Sequence, residues 1–301
     1  MSLHTTFRTG GPADIFLSPA DENDLAQMLG ILRQAGVQIL VIGNGSNILV
    51  SDRGIRGAVI RLTPNFGEIS QEGDTIIAGA GAKLWQVTKF AATASLSGLE
   101  STMGIPGTIG GALVMNAGTD HGCISDLVEC VTVLNSVGKM QIKCHDELGF
   151  KYRESSLQGG GQIVISTLLR LTPGSAHEIH DKMERLKQKR TSRQPTDCHT
   201  AGSTFKNPPV IVDGKQLAAG KLIDQAGAKG WRVGGAEVSQ KHANFIIAHK
   251  GATSTDIRSL AEWMQERVLA EKGFDLEREI ELIGDWTGWE KHTEAIPPVA
   301  I

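Results

Sequence analysis

Val37-Gln-Ile-Leu-Val-Ile-Gly-Asn-Gly-Ser-Asn47 is the stretch from which the rest of the chain can be read. Five of its first six residues are apolar and four are β-branched, the composition of a buried strand. The strand ends directly in Gly43-Asn44-Gly45-Ser46-Asn47, where small side chains leave backbone N–H groups free to approach anionic oxygens. Position 48 is Ile, so the third glycine of a dinucleotide fingerprint is missing, and no Walker-type G-x-x-x-x-G-K-[S/T] run occurs. A turn of this kind also serves as a plain connection, so a second element has to decide its use.

That element lies roughly sixty residues on. Gly104-Ile-Pro-Gly-Thr-Ile-Gly-Gly111, followed by Met115-Asn-Ala-Gly118, is the most glycine-dense loop of the chain. Two glycine-rich loops, each after a strand-like run, suggest one large ligand held at two places. Around them the pattern alternates. The spacing of Leu25, Met28, Leu29 and Leu32 predicts a helix over 21–36, and another is expected over 83–97. Strands are expected at 58–62, 75–78, 127–134 and 163–171. Pro173-Gly174-Ser175 breaks the chain before a charged helix at 177–190 whose Lys and Arg form a solvated face. The domain boundary is expected within this helix or just before it. Helices follow at 216–226 and 255–272, the latter capped by Thr253 or Ser254 and ended by Gly273. A strand at 280–283 closes the ordered part, and the tail from Asp285 gives no clear pattern.

Composition sets limits. At 301 residues, about two domains are expected. The net charge of −3 argues against a broad nucleic-acid or membrane footprint, although a local basic pocket remains compatible with it. No apolar run spans a bilayer and the N-terminus has no signal-peptide pattern. Cys123, Cys130, Cys144 and Cys198 show no C-x-x-C spacing and are expected as free thiols. Cys144-His145 and Cys198-His199 are adjacent pairs, poor spacing for tetrahedral ligation, so no metal is expected.

Three residues in turn-rich contexts carry groups that suit one reaction site: Arg153 in Tyr152-Arg-x-Ser155, Ser203 in Ala201-Gly-Ser-Thr-Phe-Lys-Asn-Pro208, and Glu279 in Leu276-x-x-Glu279. Each also has a plain reading: a surface pair for Arg153, a turn cap for Ser203, a solvated strand edge for Glu279. His242 is read first as a structural histidine and second as a pocket hydrogen-bonder.

The ordered set Thr6-Phe-Arg-x-Gly-Gly-Pro-Ala13, Gly43–Asn47, Ser51-Asp52, Gly104–Gly111, Asn116-Ala-Gly118, Tyr152-Arg-x-Ser155, Ala201–Pro208, Lys221-Leu-Ile-Asp-x-Ala-Gly227, Val233-Gly-Gly-Ala236, Lys241-His-Ala-Asn-Phe245 and Leu276-x-x-Glu279 resembles the UDP-N-acetylenolpyruvoylglucosamine reductase (MurB) family. The match runs from about residue 5 to residue 284, and its order makes it specific where no single motif is. Its length and its single Tyr place it with the shorter type that lacks a substrate-capping Tyr loop. The resemblance implies an α+β fold, a two-lobed FAD-binding module of the vanillyl-alcohol-oxidase (PCMH) type plus a C-terminal α+β substrate domain. It implies residues 1–173 as the FAD-binding domain, with lobes at about 1–63 and 64–173, then 174–284 as the substrate domain and 285–301 as a tail.

The same resemblance implies FAD as cofactor and NADPH as hydride-donating cosubstrate, in peptidoglycan precursor synthesis. It implies that Gly43, Asn44, Gly45, Ser46 and Asn47 hold the FAD pyrophosphate. Pro106, Gly107, Thr108, Gly110, Gly111, Asn116 and Gly118 would surround the flavin. Arg153, Ser203 and Glu279 carry over as catalytic residues, and Lys206, Asn207, Arg190 and Arg153 as substrate contacts. In that scheme hydride reaches the β-carbon of the enolpyruvyl group, Arg153 and Glu279 stabilise the enolate-like charge, and Ser203 protonates the α-carbon. Glu279 can help only as the protonated acid or through a donor, which requires a raised pKa. The partners are small molecules, with no nucleic acid and no membrane insertion; a cytoplasmic monomer is the expectation. Thr119-Asp-His-Gly122, Ala248 and Arg278 depart from the family pattern and bear on pocket shape. An oxidase of the same fold, a non-catalytic flavin-binding regulator and a plain Rossmann protein are the rivals. The Ala201–Pro208 segment, the three catalytic side chains and Ile48 argue against them in turn.

Overall fold

The computed structural model describes residues 1–62, 64–159, 161–212, 214–293 and 295. The chain forms two compact units, neither continuous in sequence. Unit II comprises Ile15–Asn44 and Gly57–Arg190; unit I comprises Met1–Asp14, Gly45–Arg56 and the chain from Thr191 onward. This differs from a linear division at 173/174: the chain enters unit I three times, and the last crossing falls inside the charged helix.

In unit II, α1 (Glu22–Gln34) buries Leu25, Leu29 and Leu32. Asp21 caps it by accepting the Asp24 N–H at 2.8 Å. Strand Ile39–Ile42 follows and pairs in parallel with Ile55–Arg61, Ile39 opposite Ala58. An antiparallel five-stranded sheet runs in the order 140–144, 128–134, 163–170, 75–79, 69–72. Its inward residues, among them Ile76, Ala78, Val131, Val133 and Leu169, alternate with a period of two and form one core. On the edge strand, Cys144 stands opposite Cys130. Their sulfurs lie 2.9 Å apart, and the shared hydrogen bond pushes the Cys130 thiol up to about 11.

Helix α2 (Leu84–Thr93) buries Leu84, Val87, Thr88 and Ala91, one stripe at helical spacing. It stops earlier than the expected 97. Ser95 takes a positive φ of 57°, and Leu96–Ser97 pairs with Thr172–Pro173 instead. The glycine-dense loop is also more ordered than its composition suggests. Its second half is helix α3 (Ile109–Val114), which buries Ile109, Ala112 and Leu113 and is capped by Thr108. Helix α4 (Ala176–Arg193) buries Ile179 and Met183, and most of its charged residues face solvent; Arg190 is half-buried.

Unit I packs around a separate core that includes Phe7, Leu49, Phe205, Leu222, Val238, Ile246, Leu260 and Met264. Helix α5 (Ala219–Gln225) is shorter than the expected 216–226, because Lys215–Gln216 pairs with Ile211–Val212. Helix α6 (Ser254–Lys272) carries the expected stripe and ends at Gly273, whose φ of 71° is the left-handed cap. The chain from 232 to 248 forms a small antiparallel sheet, and Glu281–Ile283 pairs in parallel with Ile48–Val50. The tail lies along α6. Arg258 sits 4.8 Å from the Trp286 ring and 3.6 Å from the Trp289 ring, and the Trp263 indole N–H donates to His292 O at 3.0 Å. The end of the expected tail, 296–301, lies outside the described residues.

Candidate functional site

The Gly43–Asn47 turn and the Pro106–Gly111 loop are joined through Asn44. Its amide donates to Pro106 O at 2.7 Å, and its carbonyl accepts from Lys83 Nζ at 2.7 Å. At Gly43 a Cβ would sit 2.3 Å from Thr108 Oγ1, so only glycine allows the two loops to close on each other. Gly107 and Gly111, by contrast, present nothing closer than 3.9 and 3.6 Å to such an atom, so their faces stay open. Burial, then the Arg61 charge, lowers the Lys83 pKa. Two cations thus stand beside an open, glycine-lined surface. That arrangement suits a ligand bearing phosphate, so the residues present fit a flavin dinucleotide.

The rest of the turn belongs to unit I. Gly45, at a φ of 64°, leaves no room for a Cβ, which would fall 2.1 Å from His4 O. Its own carbonyl accepts the Thr6 N–H at 3.0 Å. Asn47 donates its amide to Glu279 O at 3.0 Å, and its carbonyl accepts from Glu281 N at 3.0 Å. Ser46 lies between them, half-buried in the same turn.

Arg153 stands in unit II at the tip of a two-residue turn closed by Lys151 and Glu154, whose backbones exchange hydrogen bonds at 3.0 and 3.1 Å. Its φ of 59° is left-handed, a conformation that costs a non-glycine residue ~1–2 kcal/mol. Asn116 holds this turn. Its side chain donates to Lys151 O at 2.9 Å and accepts from Ser125 N at 3.3 Å. Ser155 adds a bond to Val114 O at 2.7 Å. The Arg153 guanidinium donates to Gly118 O at 3.1 Å and lies 5.0 Å from the Tyr152 ring. Arg190, near the end of α4, packs over Gly104. Burial, then the neighbouring Arg153 charge, lowers its pKa. Two guanidiniums near enough for their charges to interact suit an anionic ligand.

In unit I, Ser203 forms an antiparallel bridge with Phe245, and Phe205 one with Arg278. Thr204 is the link: its N–H donates to Asn244 O at 2.7 Å, and its carbonyl accepts the Glu279 N–H at 2.8 Å. Ser203 and Glu279 therefore sit on adjacent backbone segments. Lys206 pairs with Glu277 at 2.6 Å, and the Asn207 side chain accepts from Ala219 N at 3.0 Å, the start of α5. His242 lies edge-on to Phe245, with ring centroids 4.8 Å apart, and its Nδ1 accepts the Asn244 N–H at 3.3 Å. Burial, then Lys229, lowers its pKa. Sequence reading missed Lys83, Arg61 and Asn244; only the Lys241–Phe245 motif signalled the last. Among the described residues, no group of three His, Cys, Asp or Glu is placed to hold a metal ion. No described helix is long and apolar enough to cross a membrane.

Residues 13–142 match the family model described as an FAD binding domain. With the glycine cradle this defines an FAD-binding α+β oxidoreductase, the fold class expected from the sequence. Residues 194–283 match the model described as UDP-N-acetylenolpyruvoylglucosamine reductase, C-terminal domain. The reductase of that name from Moorella thermoacetica is 45% identical over 95% of this chain and 92% of its own length. The one from Heliobacterium modesticaldum is 42% identical over 96% and 90%. The crystal structure of UDP-N-acetylenolpyruvylglucosamine reductase from Thermus caldophilus superposes with a TM-score of 0.80 at 37% identity, covering 94% of this chain and 96% of that one. The chain belongs to the UDP-N-acetylenolpyruvoylglucosamine reductase (MurB) family.

Proposed function

We propose that this chain reduces the enolpyruvyl double bond of UDP-N-acetylenolpyruvoylglucosamine to give UDP-N-acetylmuramate, a peptidoglycan precursor, with NADPH as the source of hydride. One observation supports the residue roles most: the backbone segments carrying Ser203 and Glu279 run beside each other, joined by the Glu279 N–H to Thr204 O bond. When bound here and reduced by NADPH, FAD would supply hydride chemistry at the alkene carbon β to the carboxylate. Gly43, Asn44, Gly45, Ser46 and Asn47 would hold its pyrophosphate, and Pro106, Gly107, Thr108, Gly110 and Gly111 its flavin side. Asn116 and Gly118 serve the Arg153 turn from behind.

Negative charge then develops on the α-carbon and carboxylate of the substrate. Arg153 meets it with a permanent positive charge and a two-pronged donor. Arg190 adds a second cation for the anionic nucleotide-sugar, and Lys206 and Asn207 line the same substrate. Glu279 acts in its protonated form, since a bare carboxylate would repel the developing charge. Ser203 gives its hydroxyl proton to the α-carbon. It is a weak acid facing a strong base, so the transfer depends on orientation rather than on a His-Asp relay. We assign the reaction to the cytoplasm and to a monomer.

Ser203→Ala tests the proton-donor role. Reoxidation of the reduced flavin by the enolpyruvyl substrate slows by ~10²-fold or more, the scale of a lost general acid. Reduction by NADPH keeps its rate. Equal loss in both half-reactions, followed by stopped-flow absorbance, would rule the assignment out.

A further inference from the structure

We infer that Asn244 is a positioning residue for the proton transfer, acting through Ser203; the inference rests on the reading of Ser203 as proton donor. Asn244 is only 3% exposed and makes three hydrogen bonds to the two residues that follow Ser203. Its side-chain N–H donates to Phe205 O at 2.8 Å, and its side-chain carbonyl accepts the Phe205 N–H at 3.0 Å. Its backbone carbonyl accepts the Thr204 N–H at 2.7 Å. The side chain thus imitates a neighbouring strand, pairing with both polar groups of one residue. Among residues of this size, only asparagine offers a donor and an acceptor in that arrangement.

The bridge between Ser203 and Phe245 continues the same pairing on the other side of Thr204. Asn244 is itself fixed, because its N–H is taken up by His242 Nδ1. Thr204 carries the constraint onward to Glu279. A hydroxyl that must protonate carbon gains nothing from acidity and everything from direction, and a displacement of about 1 Å can cost ~10²-fold in rate. The backbone after Ser203 is locked at Thr204 and Phe205, and the Asn244 side chain supplies both of the bonds at Phe205.

The test compares Asn244→Ala, Ser203→Ala and the double variant, each with bound FAD, by anaerobic stopped-flow. Asn244→Ala slows flavin reoxidation by the enolpyruvyl substrate by about 10-fold or more. NADPH-driven reduction stays within about 2-fold and the substrate dissociation constant within about 3-fold. On the Ser203→Ala background the second substitution adds little, because the group being aimed is already gone. Asn244→Ser, which keeps a donor and an acceptor in smaller form, serves if the alanine variant does not fold and shows the same pattern. Multiplicative losses in the double variant, equal slowing of both half-reactions, or wild-type reoxidation in Asn244→Ala and Asn244→Ser would overturn the inference. If Ser203→Ala itself leaves reoxidation intact, the proton-donor reading falls and this inference with it. If Ser203→Ala slows the step and the Asn244 variants do not, only this inference falls.

Discussion

Arg153 spends backbone strain to place a guanidinium. Its left-handed φ suits glycine, yet the turn is held by Asn116 and Ser155 so that an arginine stands at its tip. Arg153→Gly therefore relieves strain and leaves the thermal midpoint unchanged or raised by a degree or two, while substrate reduction is lost. A calorimetric scan beside a turnover assay checks both. His242 carries a second residue-scale expectation. Burial and then Lys229 lower its pKa against an opposing backbone hydrogen bond and Asp224, and its Nδ1 already accepts a hydrogen bond. The unfolded state thus binds the proton more tightly than the folded one. The stabilising contribution is present above the ordinary histidine value of about 6.5 and is lost as the pH falls below it. Denaturant midpoints measured from pH 7.5 to 5 fall, and His242→Asn flattens the slope. The motif residues were legible one by one in the sequence. Their joint geometry was not, because Asn116 and Asn244 work through hydrogen bonds to backbone groups 35 and 39 residues away.

Among the elements, α6 shows what periodicity can and cannot reveal. The stripe of Ile257, Leu260, Met264 and Val268 and the cap at Thr253 follow from local pattern. The stronger anchor does not: Asp52 accepts from Ser254 N and Thr255 N at 2.8 Å each and from Thr255 Oγ1 at 2.7 Å, across 202 and 203 residues. Asp52→Ala removes this cap and lowers stability by ~1–2 kcal/mol. The drop is read from urea unfolding, with the flavin spectrum unchanged. The short strands between 232 and 248 escaped the sequence reading because two or three residues carry no detectable period. Helix α3 escaped because glycine density hid the spacing of Ile109, Ala112 and Leu113. At the cradle, Lys83→Ala cuts the tie to Asn44 and weakens FAD binding by about 10-fold, the scale of one charge-assisted hydrogen bond. Flavin fluorescence on titration of the apoprotein reports it.

The whole chain folds as two units threaded three times, and this was the least legible level. Phe7 and Leu49 belong to the core built around α6, although Ile15–Asn44 and Gly57–Arg190 separate their segments from the rest of unit I along the chain. Pairing between distant segments, such as Glu281–Ile283 with Ile48–Val50, leaves no local trace. The α+β class and the flavin assignment were legible because the glycine loops and the motif order are themselves local. The tail also gains its meaning only from the folded chain, where Trp286 and Trp289 enclose Arg258. Passage of hydride from NADPH to an enolpyruvyl nucleotide-sugar leaves its trace in the flavin bands. The direct measurement is the visible spectrum of the purified protein under anaerobic conditions, first with NADPH and then with UDP-N-acetylenolpyruvoylglucosamine. A reductase of this kind shows flavin bands that bleach with NADPH and return on addition of the nucleotide-sugar. Bands that return only with oxygen, or a colourless protein that does not take up FAD, would contradict it.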